Sequence, residues 1–299
     1  MRVVVIGGYG NFGARVCRSL AASAMEVIAA GRHPDEGGHA FGDLPVKHAR
    51  LDHSAPDFAT SLKRLAPDLV IHCAGPFQAQ SYSVARAALA AGSHYFDLAD
   101  ARQFVARFPQ NMQSAARAAN RLAVSGASSV PALSSAVISS LKERLPVIEE
   151  IQIAIAPGQL APRGRATLAA VFSYAGRPFK WVNDGAWCEA WGWQELKRLR
   201  FYGLGPRWAA ACDVPDLELF PRIYPGVRTV EFRAALELSV QQTALWLAAS
   251  LRRHGVQVPL ERWAGVLGWI AARMNVFGGT LGGMLVSVLG RRADGSRAR

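Results

Sequence analysis

The first thirteen residues contain the feature that most limits how this chain folds. Four apolar residues, Val3 to Ile6, are followed by Gly7-Gly8-Tyr9-Gly10-Asn11-Phe12-Gly13 and then by a helical run over residues 14–22. A Gly-x-Gly-x-x-Gly pattern that follows a strand and opens a helix is typical of a dinucleotide-binding strand–helix–strand unit. The amides and the positive dipole end of such a helix bind a pyrophosphate. The alternative is a glycine-rich turn that binds no ligand.

Each glycine of this segment has an expected role. Gly8 allows the tight turn, Gly10 lets the backbone approach the pyrophosphate, and Gly13 lets the helix pack closely on the strand. We predict that the cofactor-binding residues of this loop are Gly8, Tyr9, Gly10, Asn11, Phe12 and Gly13.

Apolar runs of strand length recur through the first 145 residues and alternate with helical stretches. The runs cover residues 2–6, 27–30, 46–51, 69–73, 94–98 and 122–125. The clearest helix covers residues 81–91 and stops at Gly92, whereas Pro109 either breaks a helix that starts at Ala101 or opens a second one that ends near Asn120. This alternation predicts an α/β domain over residues 1–145, with the doubly wound parallel sheet of a Rossmann fold.

The end of the second apolar run selects the cofactor. An acidic residue there accepts hydrogen bonds from the ribose of NAD, whereas an arginine accommodates the 2′-phosphate of NADP. This sequence has Gly31-Arg32 at that point, and a guanidinium binds phosphate through charge-assisted, bidentate hydrogen bonds. We therefore expect Gly31 and Arg32 to contact the cofactor and NADP to bind in preference to NAD. The alternative is that Arg32 is a solvated loop residue and Asp35 turns back to the ribose.

The pattern changes in the second half of the chain. Ile151, Ile153 and Ile155 alternate with less apolar residues, as do Val230 and Phe232, and both segments read as strands with one buried face. We predict a second domain over residues 146–299, an α+β domain with a mixed or antiparallel sheet that serves substrate binding and dimerisation. All eight tryptophans fall in this half and indicate an extended core or, alternatively, a wide apolar pocket.

Residues 263–290 are mostly apolar and rich in glycine. The spacing of Trp263, Val266, Leu267 and Ile270 predicts a helix, and residues 284–289 predict a strand that needs cover on both faces. Arg273 would be costly at the centre of a bilayer, which argues against a membrane span. We expect this segment to form a homodimer interface first, a peripheral membrane contact second, or otherwise ordinary core.

Charge and cysteine content narrow the function classes. The chain has 34 Lys and Arg residues against 22 Asp and Glu, but they form neither the long runs nor the helical stripe that nucleic-acid binding requires. An anionic cofactor or substrate suits this charge, although an arginine-favouring codon usage explains it equally well. The four cysteines form no Cys-x-x-Cys pair, so we expect buried free thiols, no metal site and a reducing, cytoplasmic location. The apolar run at the N-terminus is too short for a signal peptide.

Two segments resemble a known family. Val70-Ile71-His72-Cys73-Ala74-Gly75-Pro76-Phe77, a helix ending at Gly92, and then His94-Tyr95-Phe96-Asp97 are similar to the saccharopine dehydrogenase-like NAD(P)-binding family, as is the small-residue segment Ser125-Gly126-Ala127-Ser128-Ser129-Val130-Pro131-Ala132-Leu133-Ser134. Gly164-Arg165-Ala166-Thr167 and Asp213-Val214-Pro215-Asp216 match shorter family patterns. The resemblance implies a Rossmann domain with an inserted or appended mixed-sheet domain, and a two-electron reduction or oxidation at a C=N, C=C or C–OH carbon. Together with Arg32 it predicts an NADP-dependent oxidoreductase that moves a hydride between nicotinamide and such a carbon of a small molecule. Relatives continue beyond Gly282-Gly283-Met284-Leu285-Val286, so we expect a short variant or a piece of a longer chain.

Site residues are expected at the carboxyl ends of the strands, where open parallel sheets bind ligands. Ala74, Gly75, Pro76 and Phe77 should line the cofactor path, with Phe77 either near the nicotinamide or in the core. The candidate catalytic proton donors are Tyr95, Asp97 and His94, although strand alternation separates His94 from the other two and each also reads as a buried structural residue.

Substrate contacts are expected from the small-residue loop and from arginines. The candidate residues are Gly126, Ala127, Ser128 and Arg165. Arg163, Arg165 and Arg177 suit a carboxylate or phosphate on the substrate, or are simply solvated. Because no catalytic set is unambiguous, a non-catalytic NADP-binding sensor or scaffold is the alternative function.

Overall fold

A computed structural model of the protein describes residues 1–34, 40–162, 164–260 and 262–299. They form two compact units, residues 1–128 and 129–299. The sequence pattern placed the boundary after residue 145, whereas the second unit already starts at Ser129. The reason is that the helix Ser134–Lys142 packs against strands of the second unit.

The first unit contains a parallel sheet of six strands. The strands are β1 (Arg2–Ile6), β2 (Glu26–Gly31), β3 (Val46–Arg50), β4 (Leu69–His72), β5 (His94–Asp97) and β6 (Ala123–Val124). Their order is β3-β2-β1-β4-β5-β6, so the order reverses between β1 and β4, where doubly wound sheets bind their ligands. Val3, Val4 and Val5 are fully buried because β1 lies inside the sheet. The predicted Rossmann sheet is confirmed.

Four helices accompany this sheet in the described part of the unit. They are α1 (Asn11–Ala22), α2 (Phe58–Arg64), α3 (Ser83–Ala90) and α4 (Arg102–Ala119). Pro109 lies inside α4, so both sequence interpretations of a break at this position were wrong. The buried side chains of Phe104, Phe108 and Met112 lie on one face of α4 and hold it together across the proline, which lacks an N–H donor. The helix ends where Asn120 adopts a left-handed conformation with φ of 49°.

The second unit is built on a mixed sheet. Its strands are β7 (Val147–Ala156), β8 (Pro178–Asn183), β9 (Ala186–Trp191), β10 (Lys197–Phe201), β11 (Gly205–Ala211), β12 (Thr229–Ala235), β13 (Gly283–Arg291) and β14 (Arg297–Ala298). Six of them follow the order β10-β11-β12-β7-β13-β14, and β8 pairs with β12 and β9. The two strands read from the sequence, β7 and β12, are parallel neighbours, whereas β13 is antiparallel to β7. The predicted mixed sheet is confirmed.

The helices of the second unit cover parts of that sheet. They are α5 (Ser134–Lys142), α6 (Arg165–Tyr174), α7 (Asp216–Ile223), α8 (Ser239–Arg253) and α9 (Ala264–Arg273). The helix and the strand expected over residues 263–290 are α9 and β13, and β13 has a neighbouring strand on each side. In the described part of the chain, no helix is long and apolar enough to cross a membrane.

The tryptophans divide between the core and the surface of the second unit. Trp181 and Trp193 are buried, as the core interpretation predicts. Four others are 46–60% exposed, so the core interpretation is wrong for them: Trp187, Trp208, Trp263 and Trp269.

All four cysteines are free. Cys17 and Cys212 are buried as expected, whereas Cys73 and Cys188 are only half-buried. Burial raises the pKa of the Cys17 and Cys212 thiols to about 12, so neither is a thiolate at neutral pH.

Candidate functional site

The glycine-rich loop forms a tight turn between β1 and α1. Gly7 has a φ of +76°, which an L side chain rarely adopts, so the turn role expected of Gly8 belongs to Gly7. The amides of Gly7 and Gly8 both donate to the carbonyl of Ala30, at 2.9 and 3.1 Å. A Cβ on Gly13 would lie 2.1 Å from the carbonyl oxygen of Gly7, so only glycine lets α1 approach the strand this closely.

The N-terminus of α1 suits an anion. Gly10 is the N-cap residue, no side chain caps the helix, and no acidic residue lies in its first turn. A Cβ on Gly10 would meet a single atom, the Gly7 carbonyl oxygen at 3.2 Å, so the backbone there is open to close approach. Phe12 is half exposed at the start of the helix. Uncapped amides and a positive dipole end fit the pyrophosphate of a dinucleotide.

The end of β2 is covered by the ring of Tyr9. The Tyr9 hydroxyl donates to the carbonyl of Ala29 at 2.8 Å and lies 3.2 Å from Nδ1 of His48. The Tyr9 and His48 rings are stacked, with centroids 5.8 Å apart and planes within 5°. A Cβ on Gly31 would lie 2.8 Å from Tyr9 Cδ2. An acidic side chain at position 31 is therefore excluded unless Tyr9 moves.

Arg32 follows Gly31 directly and is exposed. The hydrogen bonds from Ser54, and more weakly the charges of His53 and Arg32, hold the pKa of Asp52 below its usual value. Arg32 is therefore close enough to Asp52, two residues after β3, for their charges to interact. The alternative residue for this role, Asp35, lies outside the described residues.

In the segment after β4, a side chain holds the backbone at Ala74 and Pro76, and Phe77 packs in the core. The Gln80 side-chain amide donates to the carbonyls of Ala74 and Pro76, at 2.7 and 2.9 Å, and fixes the turn through Gly75. Phe77 is 4% exposed, and its ring centroid lies 5.0 Å from that of His72. The core interpretation of Phe77 therefore holds, and its side chain does not line the cofactor path.

Of the three candidate proton donors of β5, Tyr95 and Asp97 lie together on its buried face, whereas His94 lies apart. Tyr95 is fully buried, its hydroxyl lies 3.2 Å from Nδ1 of His72, and burial together with the charge of Asp97 raises its pKa. His94 lies on the opposite face of the strand, where its Nδ1 accepts the amide of Leu122 at 3.0 Å. Because Tyr95 and Asp97 have no exposed surface, neither is placed to deliver a proton to a substrate.

Asp97 instead shapes the loop after β6. Its Oδ1 accepts hydrogen bonds from the Ala99 amide, the Ser125 hydroxyl and the Gly126 amide at 2.8–3.0 Å, and its backbone carbonyl accepts the Ala127 amide. Burial raises the pKa of Asp97, and these donors offset part of that effect. Asp97 is therefore a positioning residue for the predicted substrate loop, Gly126 to Ser128.

The described structure does not test the predicted arginine contacts with a substrate. Arg163 lies outside the described residues, and so does the side chain of Arg165, whose backbone begins α6. Arg177 is exposed between α6 and β8. A contact between these arginines and a substrate stays a prediction.

Two buried polar pairs were not recognised from the sequence. His72 at the end of β4 lies beside Tyr95, and burial lowers its pKa to about 3, so it is neutral at physiological pH. In the second unit, Asp216 at the start of α7 accepts the hydroxyl of Ser134, and burial raises its pKa to about 7. Asp216 belongs to a short pattern noted in the sequence, but nothing marked Ser134, 82 residues earlier, as its partner.

Comparisons with known proteins agree with this geometry. Residues 3–130 match the family model of the saccharopine dehydrogenase NADP binding domain. The search of curated protein sequences gives no match. Among solved structures, the apo saccharopine dehydrogenase (L-Glu forming) of Saccharomyces cerevisiae superposes with a TM-score of 0.65 at 12% identity, covering 99% of this chain and 83% of that one.

A weaker likeness is found to the WlbA (WbpB) dehydrogenase of Thermus thermophilus in complex with NAD and α-ketoglutarate. The TM-score is 0.44 at 13% identity, covering 79% of this chain and 73% of that one. The first unit therefore matches the saccharopine dehydrogenase NADP binding domain, and the whole chain has the fold of saccharopine dehydrogenase.

Proposed function

We propose that the chain uses NADP rather than NAD and moves a hydride between nicotinamide and a C=N, C=C or C–OH carbon of a small molecule. The observation that carries the cofactor preference is the Tyr9 ring, which occupies the space of any side chain at position 31. NAD-selective sites place an acidic residue at the end of the second strand. Here a side chain at that position would collide with the Tyr9 ring as it stands, and a cation follows it.

Each part of the loop has a role in this proposal. The first-turn amides of α1 bind the pyrophosphate, and Arg32 binds the 2′-phosphate. The bound cofactor supplies the hydride. The chain positions it, with the turns at Gly75 and at Gly126 on the side of the sheet where β4, β5 and β6 end. Since Tyr95 and Asp97 are buried, a proton needed by the substrate comes from another group.

Titration of the purified protein with NADPH and NADH tests the cofactor preference. We expect Arg32→Ala to raise the dissociation constant of NADPH about tenfold and to leave that of NADH nearly unchanged, because only NADPH carries the 2′-phosphate. Arg86→Ala is the matched control, since Arg86 is an exposed arginine on α3 of the same unit. Tighter binding of NADH than of NADPH by the unmodified protein would overturn the proposal.

A second pair of variants tests the role of Tyr9. Gly31→Asp alone should weaken both cofactors, because the new side chain collides with the Tyr9 ring. In the double variant Tyr9→Ala/Gly31→Asp the carboxylate has room, and the preference should shift toward NADH. If Gly31→Asp alone already favours NADH, Tyr9 does not control this position.

Turnover is tested by following the nicotinamide absorbance. Imines, mixtures of 2-oxo acids with amino acids, and enoyl compounds represent the acceptor classes. Oxidation of NADPH that depends on one of them assigns the reaction type. Tight NADPH binding without oxidation by any of them would contradict the proposed hydride transfer and favour the sensor alternative.

A further inference from the structure

Helix α9 and the segment after it present an apolar surface to solvent. Six side chains that are 59–81% exposed make up this surface, which we call the apolar ridge: Trp263, Val266, Trp269, Val276, Phe277 and Leu281. Trp263, Val266 and Trp269 recur every three residues and therefore lie along one face of the helix. Soluble proteins rarely expose so many large apolar side chains in one segment, and those that do use them for binding.

The opposite face of α9 packs against the rest of the second unit. Leu267 packs against the core of the second unit. Gly268 lies against α6, where an added Cβ would be 3.0 Å from the side chain of Leu168. Since the inward face already buries apolar groups, the exposed face is not needed to attach the helix.

Buried polar contacts hold the ridge in place from beneath. Gln159 is 2% exposed, and its side-chain amide donates to the Ala271 carbonyl at 2.9 Å and to Asn275 Oδ1 at 3.2 Å. The carboxylate of Glu237 accepts the amide of Gly279 at 3.0–3.1 Å. The segment that presents Val276 and Phe277 is thus anchored on both sides, and its exposure is a fixed property of the fold.

The sequence that contains the ridge carries more positive than negative charge. From Glu237 to Arg292 it has two acidic residues, Glu237 and Glu261, and six arginines: Arg252, Arg253, Arg262, Arg273, Arg291 and Arg292. Arg253 pairs with Glu195 and Arg291 with Glu149, so these two charges are partly offset. The guanidinium of Arg273 lies 4.6 Å from the ring centroid of Trp269. Apolar, tryptophan-containing surface beside arginine is the composition of helices that lie in the interface of an anionic bilayer.

Charge also decides whether a second copy of the chain or an anionic lipid surface covers the ridge. Each copy of the chain has a net charge of +12, so two copies that met at this surface would repel each other. An anionic lipid surface satisfies both the apolar side chains and the arginines. It requires no membrane-spanning helix.

We propose that the apolar ridge docks the second unit onto an anionic phospholipid surface, with α9 lying in the plane of the interface. The proposal is independent of the cofactor preference, because every contact that carries it lies in the second unit.

Vesicle flotation tests the docking. The full chain is mixed with vesicles of phosphatidylcholine alone, or of phosphatidylcholine and phosphatidylglycerol in a roughly three-to-one ratio. We expect partitioning onto the anionic vesicles that weakens as salt is raised, and at least about tenfold weaker partitioning onto phosphatidylcholine alone. Absence of binding to the anionic vesicles would overturn the proposal.

Two variants locate the surface. Trp269→Ser/Phe277→Ser removes two ridge side chains and should lower the partition coefficient about tenfold or more, whereas Arg273→Glu should weaken binding to anionic vesicles only. Trp187→Ser is the matched control, because Trp187 is 48% exposed on β9 and lies outside the ridge. NADPH affinity and the unfolding midpoint should stay unchanged in all three.

Two results contradict this assignment. An equal loss of lipid binding in Trp187→Ser and in the ridge variant would show that the ridge is not the contact. A dimer in vesicle-free buffer that Trp269→Ser/Phe277→Ser dissociates would assign the surface to a second copy instead.

Discussion

The two units each bury one aspartate, and the two carboxyl groups are solvated by the protein in different ways. Asp97 in the first unit accepts hydrogen bonds from three donors, two of them backbone amides. Asp216 in the second unit accepts one from another side chain, the hydroxyl of Ser134. Both are fully buried, and burial raises the pKa of each.

The difference shows that hydrogen-bond donors, not burial alone, decide what a buried carboxyl group does. Three donors replace much of the lost hydration of Asp97, so its carboxylate organises a loop. Asp216 has less compensation, and its pKa near 7 makes it a group that changes charge close to neutral pH. The comparison predicts a structural anchor in one unit and a titrating group in the other.

Removal of the anchor should have the largest effect. Asp97→Ala leaves the amides of Ala99 and Gly126 without their acceptor, and we expect the free energy of unfolding to fall by about 4 kcal/mol. Asp97→Asn keeps one acceptor oxygen and should lose about half of that. Urea unfolding followed by circular dichroism measures both. A variant Asp97→Ala as stable as the unmodified protein would mean that the three hydrogen bonds do not anchor the loop.

The titrating group should appear as a pH dependence of stability. The pKa of Asp216 is about 7 in the folded chain against 3.8 for an ordinary aspartate, so the folded state binds more protons between these values. Stability therefore falls as pH rises through this window. The loss from this group is up to about 4 kcal/mol, and it should be absent in Asp216→Asn, which stays neutral.

The measurement is the difference in free energy of unfolding between Asp216→Asn and the unmodified protein at each pH. That difference should move in favour of the variant between pH 4 and 7 and then level off. Asp184→Asn is the control, because Asp184 is an exposed aspartate of the same unit. A difference that stays constant with pH would place the pKa of Asp216 near its ordinary value.

Two glycine substitutions, one in each unit, should change the free energy of unfolding by smaller amounts. Gly13→Ala puts a Cβ 2.1 Å from the Gly7 carbonyl oxygen, so we expect about 2 kcal/mol of destabilisation and weaker NADPH binding. Gly265 lies in α9 with no atom near its added Cβ, so Gly265→Ala should stabilise the chain by up to about 1 kcal/mol. Thermal unfolding with and without NADPH checks both. Equal effects of the two substitutions would contradict the close packing of α1 on the loop.

Much of the first unit was predictable because its signals are local. Each predicted strand run overlaps an observed strand, since these strands are short apolar runs bounded by turn residues. The glycine loop was readable for the same reason, although the left-handed position is Gly7 and not Gly8. The continuity of α4 through Pro109 was not readable, because the aromatic packing that maintains it joins residues far apart in the sequence.

The catalytic candidates show the limit of the same reasoning. Alternation along β5 correctly separated His94 from Tyr95 and Asp97, but it does not report which face is covered. The structure buries the face with Tyr95 and Asp97, where His72 and the loop after β6 supply their partners. The contact of the Tyr9 ring with Gly31 could not be predicted from the sequence either, since it joins the phosphate loop to a different strand.

The sequence by itself determined the period of each element, the glycine-rich loop and the presence of an arginine after β2, because these depend on residues adjacent in the chain. Only the tertiary structure decided that β7 and β12 are parallel neighbours, that Asp216 meets Ser134, and that one face of α9 stays exposed while the other packs. Those outcomes depend on which surfaces are buried against one another, and burial sets the solvation of every carboxyl group and apolar side chain discussed above.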